Sequence, residues 1–359
     1  MGERLRTGRA IPAPHRASLK VVIASAHRFP DHARLWFRFL SRDLVPALRQ
    51  TGAQVEVLLF RDASPEGFEP RHFPGATVLT RSFEALDVVE FHEKALEWPG
   101  DVLFLLDPDV FVLDGGWVAS LLGHLEDPTV AGVSLLRRGT LPGVLALLAR
   151  NAAYRALQSP VLAPSYEGLE RWPRSTKRQA GERATLALRA RGKKILDVSP
   201  AEAAPRLADF GGATAIRTAR EVYGGILGSR FETLLAERSD FAAGAYENIL
   251  LGALFRAVFD APYAAARGPS PLAAPDGDAH LSGSATPEEL RAALATIRDR
   301  KMLAPLVASF ERSDRALTRL AALEGLTRGA LHVSPVLPRA RVLGARARAA
   351  AGRFFGKKK

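Results

Sequence analysis

Short apolar runs alternate with longer amphipathic ones from residue 19 to residue 136, and no other feature constrains the fold as much. Residues 19–24 (LKVVIA) are a β-branched apolar run, the signature of a buried strand. Residues 32–50 then show helical spacing, with Leu35, Phe39, Leu44 and Leu48 on or near one face, and Thr51-Gly52 ends them. Residues 55–60 and 76–79 predict two further strands, residues 83–98 a helix, and residues 101–106 (DVLFLL) a strongly buried strand. Strands alternating with helices in this way imply a βαβ wind and a mainly parallel sheet, an α/β fold.

Beyond this point the spacing predicts a helix over 115–125 and strands over 130–136 and 194–198. Between them, within 140–192, two Ala/Leu/Arg-rich helices are expected around a Pro- and Ser-bearing loop. Residues 209–219 (DFGGATAIRTA) read as a glycine pair entering a short strand, and 246–258 as a helix. Thr286 is placed as the N-cap of a helix over 286–300, with Pro287 at its first position and Glu289 completing a capping box.

Composition removes several function classes. The chain of 359 residues has no cysteine, which excludes disulfides, thiolate catalysis and Cys-ligated zinc or iron–sulfur sites. No window reaches the ~18–20 apolar residues of a membrane span, and residues 1–17 lack the apolar run of a signal peptide. The net charge of +12 is concentrated at the ends, with +4 in residues 1–20 and +9 after Glu324, so the body is close to neutral. A nearly neutral body argues against nucleic acid as a partner.

The most specific motif is Asp107-Pro108-Asp109, directly after the buried strand. Ligands of open α/β sheets sit at the carboxyl ends of strands. Pro108 stiffens the backbone between the acids, and a turn there can aim both carboxylates at one cation, which prefers hard oxygen ligands. On diphosphate oxygens such a cation neutralises charge growing on a leaving nucleoside diphosphate. The competing reading is a strand that ends in a solvated Asp-Pro turn.

Residues 94–113 (KALEWPGDVLFLLDPDVFVL) resemble the helix–strand–DxD segment of the GT-A glycosyltransferases, and His280-Leu281-Ser282-Gly283 resembles the H-x-x-G element of the glycogenin-like and lipopolysaccharide-galactosyltransferase-like families (glycosyltransferase family 8-like). The resemblance spans residues 18–285. It implies a GT-A fold: Rossmann-like, with a mainly parallel mixed sheet flanked by helices and a C-terminal helical extension. It implies a metal-dependent glycosyltransferase that moves a sugar from a nucleoside diphosphate donor to an acceptor hydroxyl, with retention of configuration suggested by the histidine. Asp107, Asp109 and His280 would ligate Mn2+ or Mg2+. Lys94, Asp62, Gly211, Gly212 and Gly283 would join Asp107 in binding the nucleotide sugar, and Glu247 would act as base or hold the acceptor. The chain departs from the family at Thr286, where a lysine usually follows the glycine.

Each residue also has a plainer explanation. Lys94 is then a solvated helix lysine, Asp62 an Asx-turn, Gly211-Gly212 a tight turn and His280 a surface histidine. Glu247 would be an ordinary first-turn acid favoured by the helix dipole. Arg137, Arg138, Arg171, Arg174, Lys177 and Arg178 suit either an anionic acceptor or solvated charge.

The expected organisation is a disordered lead-in over 1–17 and a catalytic domain over 18–285. That domain divides into a nucleotide-sugar half (18–138) and an acceptor half (139–285). C-terminal helices follow over 286–330, and a basic tail over 331–359. The tail is read either as an anchor on an anionic membrane surface, suited to a lipid-linked or carbohydrate acceptor, or as a solubilising extension. The expected location is cytoplasmic, or peripheral on the cytoplasmic face of the membrane where the tail acts as the anchor. A haloacid-dehalogenase-like phosphatase also pairs a strand with D-x-D, but usually places it near the N-terminus and carries Thr or Val where Phe111 stands. An inactive GT-A-like scaffold is the other alternative.

Overall fold

The computed structural model describes residues 19–61, 67–80, 88–136, 146–157, 182–227, 230–259, 286–297, 300–331 and 333. The chain divides into two compact units, Met1–Leu207 and Ala208–Lys359. Asp62, His280, Gly283 and the arginine and lysine positions 137, 138, 171, 174, 177 and 178 lie outside the described residues, as do residues 1–18 and 334–359.

The first unit is built on a seven-stranded sheet in the order β3-β2-β1-β4-β7-β6-β8. Its strands are β1 (Lys20–His27), β2 (Gln54–Arg61), β3 (Ala76–Thr80), β4 (Val102–Leu106), β6 (Val130–Leu136), β7 (Ala146–Arg150) and β8 (Lys194–Asp197), with β5 (Val110–Val112) outside it. The β1–β2, β2–β3, β1–β4 and β6–β8 pairings are parallel, whereas β7 is antiparallel to both β4 and β6. Six strands therefore share one direction. Helices α1 (Pro30–Phe39), α2 (Val45–Gln50), α3 (Val88–Glu97), α4 (Gly115–Leu121), α5 (Asn151–Arg155) and α6 (Glu182–Ala190) connect them, and α7 (Pro200–Ala203) follows β8. This is the mainly parallel α/β sheet expected.

Strand β4 shows why the sheet needs cover: all five residues are buried, Val102 to 3% and the others to 1% or less. An apolar strand of this kind belongs between helical layers. One layer packs Phe60, Leu103 and Leu105 with Phe91, Ala95 and Leu96 of α3. At the strands' amino-terminal edge, the Lys20 amide donates to Asp101 and the Asn151 side chain donates to the carbonyls of Trp98 and Gly100.

Two expectations need correction. Residues 146–150 form β7 and not part of a helix: Ala and Leu favour helix, but Ala146 to Ala149 are buried to 1% or less between two strands, and that burial decides. Residues 213–219 are helical, in α8 (Ala213–Leu227), and not a strand. Thr214, Ile216 and Thr218 imitate a period of two, yet the Ile216 amide donates to the Gly212 carbonyl at 2.9 Å and a helix starts there. The long first helix is present but widened. Between α1 and α2, residues Leu40–Leu44 form a π turn in which the Val45 amide reaches the Leu40 carbonyl. Pro46 has no amide to give Arg42, so the ladder is broken at this point.

After the end of a short strand, β9 (Leu207–Asp209), the second unit is helical over its described length: α8, α9 (Arg230–Glu237), α10 (Ser239–Phe259), α11 (Pro287–Thr296) and α12 (Arg300–Leu323). In α10 every residue except Ser239, Asp240 and Arg256 is buried, which makes it the central helix. Gly244 permits this approach, since a Cβ there would lie 2.5 Å from Ile216 Cγ1 and 3.0 Å from the Gly212 carbonyl oxygen. The capping box of Thr286 and Glu289 forms as read, and Glu289 also holds Arg220 of α8 bidentately at 2.9 Å.

Candidate active site

The chain starts at the middle of the sheet, winds outward through β2 and β3, then returns to add β4 on the other side of β1. The crevice at such a reversal, at the carboxyl ends of the strands, is where open α/β sheets bind ligands. Asp107 and Asp109 follow β4 at this edge. The Asp109 amide donates to Asp107 Oδ1 at 2.9 Å, and the Val110 amide donates to the Asp107 carbonyl at 3.0 Å. This turn holds the two carboxylates in a fixed local geometry. Asp109 is 4% exposed.

A residue unnoticed in the sequence completes the turn. His32, in the first turns of α1 and itself buried, places Nε2 3.1 Å from the Pro108 carbonyl and 3.7 Å from Asp109 Oδ1. A carbonyl only accepts, so Nε2 carries the proton and donates to Pro108. His32 thereby braces the turn. Its ring stacks on Phe111, and the Trp36 indole donates to the Val110 carbonyl at 3.0 Å, so α1 grips both sides of the acids. The only sequence signal was a histidine at the start of a helix that follows the first strand.

Behind it, at the end of β1, His27 is fully buried against Trp36 with both ring nitrogens unpartnered among the described residues. Burial, and secondarily the nearby His32, hold its pKa well below the usual imidazole value. It stands as a neutral ring.

Lys94 sits three residues before the end of α3, with its ammonium on Glu97 at 3.1 Å. That end of the helix leads into the start of β4, whereas Asp107 follows its finish. Asp62 is outside the described residues, but Arg61 before it pairs with His27 at the carboxyl edge.

In the second unit, the structure brings Glu247 and Gly211 together. A Cβ on Gly211 would lie 3.7 Å from each Glu247 carboxylate oxygen, and Gly211 takes a φ of +50. The Gly211 amide donates to Asp209 Oδ1 at 2.9 Å, while a Cβ on Gly212 would meet nothing within 4 Å. Glu247 was expected to open its helix, and that is corrected: α10 starts at Ser239, so Glu247 lies beyond the first turn and is 4% exposed. The dipole acts only within the first turn and cannot explain a carboxylate here. A buried carboxylate is costly unless hydrogen-bonded, and Ser313 of α12 lies 2.9 Å from Oε1.

No protein-family model matches the chain, and no curated protein does. Among solved structures it is similar to a mannosyltransferase from Pyrobaculum calidifontis in complex with GDP-Man and Mn2+, at 14% identity and a TM-score of 0.39, covering 94% of this chain and 81% of that one. It is also similar to the glycosyltransferase GlyE of Streptococcus pneumoniae, at 11% identity and 0.34, covering 51% and 46%. An active-site mutant of LgtC is similar at 14% identity and 0.26, covering 39% and 60%. The chain thus spans less than two thirds of the length of the last two. Scores of this size leave the assignment to the chain's own geometry.

The donor chemistry of Asp107 and Asp109 suits a hard divalent cation, since both offer carboxylate oxygens from one short turn. Among the described residues no group of three His, Asp or Glu side chains is placed to hold a metal ion. Two protein ligands would leave the rest of the shell to phosphate, water or a ligand from elsewhere in the chain.

Proposed function

We propose that this chain is a glycosyltransferase of the GT-A type, transferring a sugar from a nucleoside diphosphate sugar to an acceptor hydroxyl. The observation that carries the reading is the pair of carboxylates after β4, at the reversal point of the sheet and braced by His32. Asp107 and Asp109 would hold Mn2+ or Mg2+, with His280 as the third protein ligand. The cation, when bound, neutralises charge on the diphosphate leaving group.

The chain's own residues do the rest. The Asp-Pro-Asp turn presents its oxygens without reorganisation, because the Asp109 amide and His32 already fix it. Glu247 orients the acceptor hydroxyl and takes its proton as the glycosidic bond forms, or holds it by a charge-assisted hydrogen bond. Gly211 and Gly212 keep the adjoining backbone open to a sugar. Asp62 would contact the nucleoside base, and Gly283 would allow close approach to the diphosphate. An acceptor on a lipid carrier would draw on the basic tail, and liposome sedimentation of chains with and without residues 331–359 tests that directly. Among the described residues no helix is long and apolar enough to cross a membrane.

The test is a panel of nucleotide sugars screened for Mn2+-dependent thermal stabilisation. Stabilisation by one sugar nucleotide, lost with chelator and in Asp109→Asn, supports the reading. A panel with no stabilising member, alongside phosphate release from simple monoesters, would overturn it.

A further inference from the structure

Helix α12 was read as part of a C-terminal extension, yet consecutive residues on it grip consecutive residues of α10. Ser313 Oγ lies 2.9 Å from Glu247 Oε1, and both groups are buried. Next along, Asp314 accepts from the Tyr246 hydroxyl at 3.0 Å, and the Tyr246 and Phe310 rings pack at 4.2 Å. Asp314 also accepts from Arg328 at 2.8 Å, which fastens the short 3₁₀ segment Arg328–Leu331 to the same point. Burial and Asp314 raise the Tyr246 pKa, so it stays a phenol and a donor.

Ser313 has a second partner. Its Oγ lies 3.1 Å from the Ser309 carbonyl oxygen, one helical turn back. A hydroxyl has one proton, so it serves one of these acceptors at a time. When Glu247 is ionised, the carboxylate is the stronger acceptor and Ser313 donates to it. When Glu247 is protonated, its O–H can donate to Ser313 Oγ while Ser313 turns its own proton to Ser309. One hydroxyl rotation therefore keeps a hydrogen bond between Ser313 and Glu247 in both states.

We propose that Ser313 is the positioning residue for Glu247, holding its carboxylate in one place while the carboxyl gains and loses a proton. The C-terminal helix is thereby part of the acceptor machinery. The catalytic half of this inference rests on Glu247 serving the acceptor as described above; the hydrogen-bond switch does not. Among the charges on elements packed against α10, Arg220 of α8 is paired with Glu289 of α11 and near Glu232 of α9, and Arg238 is paired with Asp240; Glu311, Arg312, Arg315 and Arg319 lie on α12 itself. Arg217 of α8 is buried and engaged, and Glu247 has a further interaction besides the one with Ser313. Asp314 is occupied by Tyr246 and Arg328.

The experiment follows the Glu247 carboxyl carbon by NMR in full-length protein with 13C-labelled glutamate, assigned by its loss in Glu247→Gln. Losing the Ser313 donor disfavours the ionised form, so Ser313→Ala moves the titration midpoint up by about one pH unit, a tenfold change in proton affinity. Ser313→Thr, which keeps the hydroxyl, restores the wild-type midpoint, and Ser313→Cys, a weaker donor, shifts it part of the way. An unmoved midpoint in both Ala and Cys variants overturns the proposal, and the Cys variant stands in should the Ala variant fail to fold. If the midpoint moves but Glu247→Gln transfers sugar at the wild-type rate, the switch stands and the role of Glu247 falls.

Discussion

Asp109 and Glu247 are equally buried carboxylates, but they are held in opposite ways. Asp109 sits in a turn closed by its own backbone amide and braced by a histidine whose buried ring is stacked on Phe111. Glu247 projects from mid-helix onto a hydroxyl that has an alternative acceptor. The first arrangement keeps a negative charge in one geometry, which suits a ligand. The second tolerates a change of protonation, which suits a base. The same side-chain chemistry, at the same burial, is tuned by whether its partner can rotate.

The largest expected effect comes from removing the fixed charge. Asp109→Asn should lower metal-dependent turnover of the stabilising nucleotide sugar by roughly 10²-fold or more with little change in melting temperature. Undiminished turnover in that variant, or in excess chelator, would erase the distinction between the two carboxylates. Glu247→Gln should lower kcat by about 10²–10⁴-fold, with donor KM unchanged, as expected of a lost proton acceptor. A rise in donor KM alone would instead move Glu247 to the donor side.

A smaller effect sharpens the first half. His32→Ala should weaken Mn2+ affinity about 10–100-fold, as removal of a group that orients a ligand does, and this is read by titrating Mn2+ against activity. If affinity is unchanged, the turn is rigid without its brace. The smallest effect is on stability. The folded-state pKa of His27 is depressed by burial, so the unfolded chain binds a proton that the folded chain refuses. Its stabilising contribution is complete above the unfolded value of about 6.5 and falls as pH drops towards the folded value, by at most ~1.4 kcal/mol per pH unit. Denaturant unfolding at pH 8 and pH 5.5 should show that loss, and His27→Phe should reduce it.

This contrast also marks what a sequence reader could see. The Asp-Pro-Asp turn is local: a buried strand, two acids and a proline within a few residues announce it. The strands were legible where β-branched runs stood between turn residues, as in β1 and β2. β7 was not, because Ala146, Leu147, Leu148 and Ala149 carry helix propensity and only their place between β4 and β6 makes them a strand. The Glu247 site was half legible. The acid and the glycine pair could be picked out, but nothing in residues 309–313 points to a partner 66 positions away. The same holds for His32, whose contact with Pro108 spans 76 positions.

Because β7 runs against both neighbours, the chain passes from β6 to β7 between strands that lie side by side. Leu136 pairs with Ala146, and Ala146 pairs with Leu106, the residue before Asp107. Had β7 been parallel, this passage would have been a crossover of a dozen residues or more, its length tied to the sheet. A connection between adjacent antiparallel ends is bound only by closure entropy, about 0.6 kcal/mol for each doubling in length. The register of the strand that carries the acids is therefore set by its neighbours in the sheet and not by the length of the link between β6 and β7. The reversed strand thus uncouples the spacing of the chain's connections from the turn that follows β4, and the acids inherit their position from the sheet.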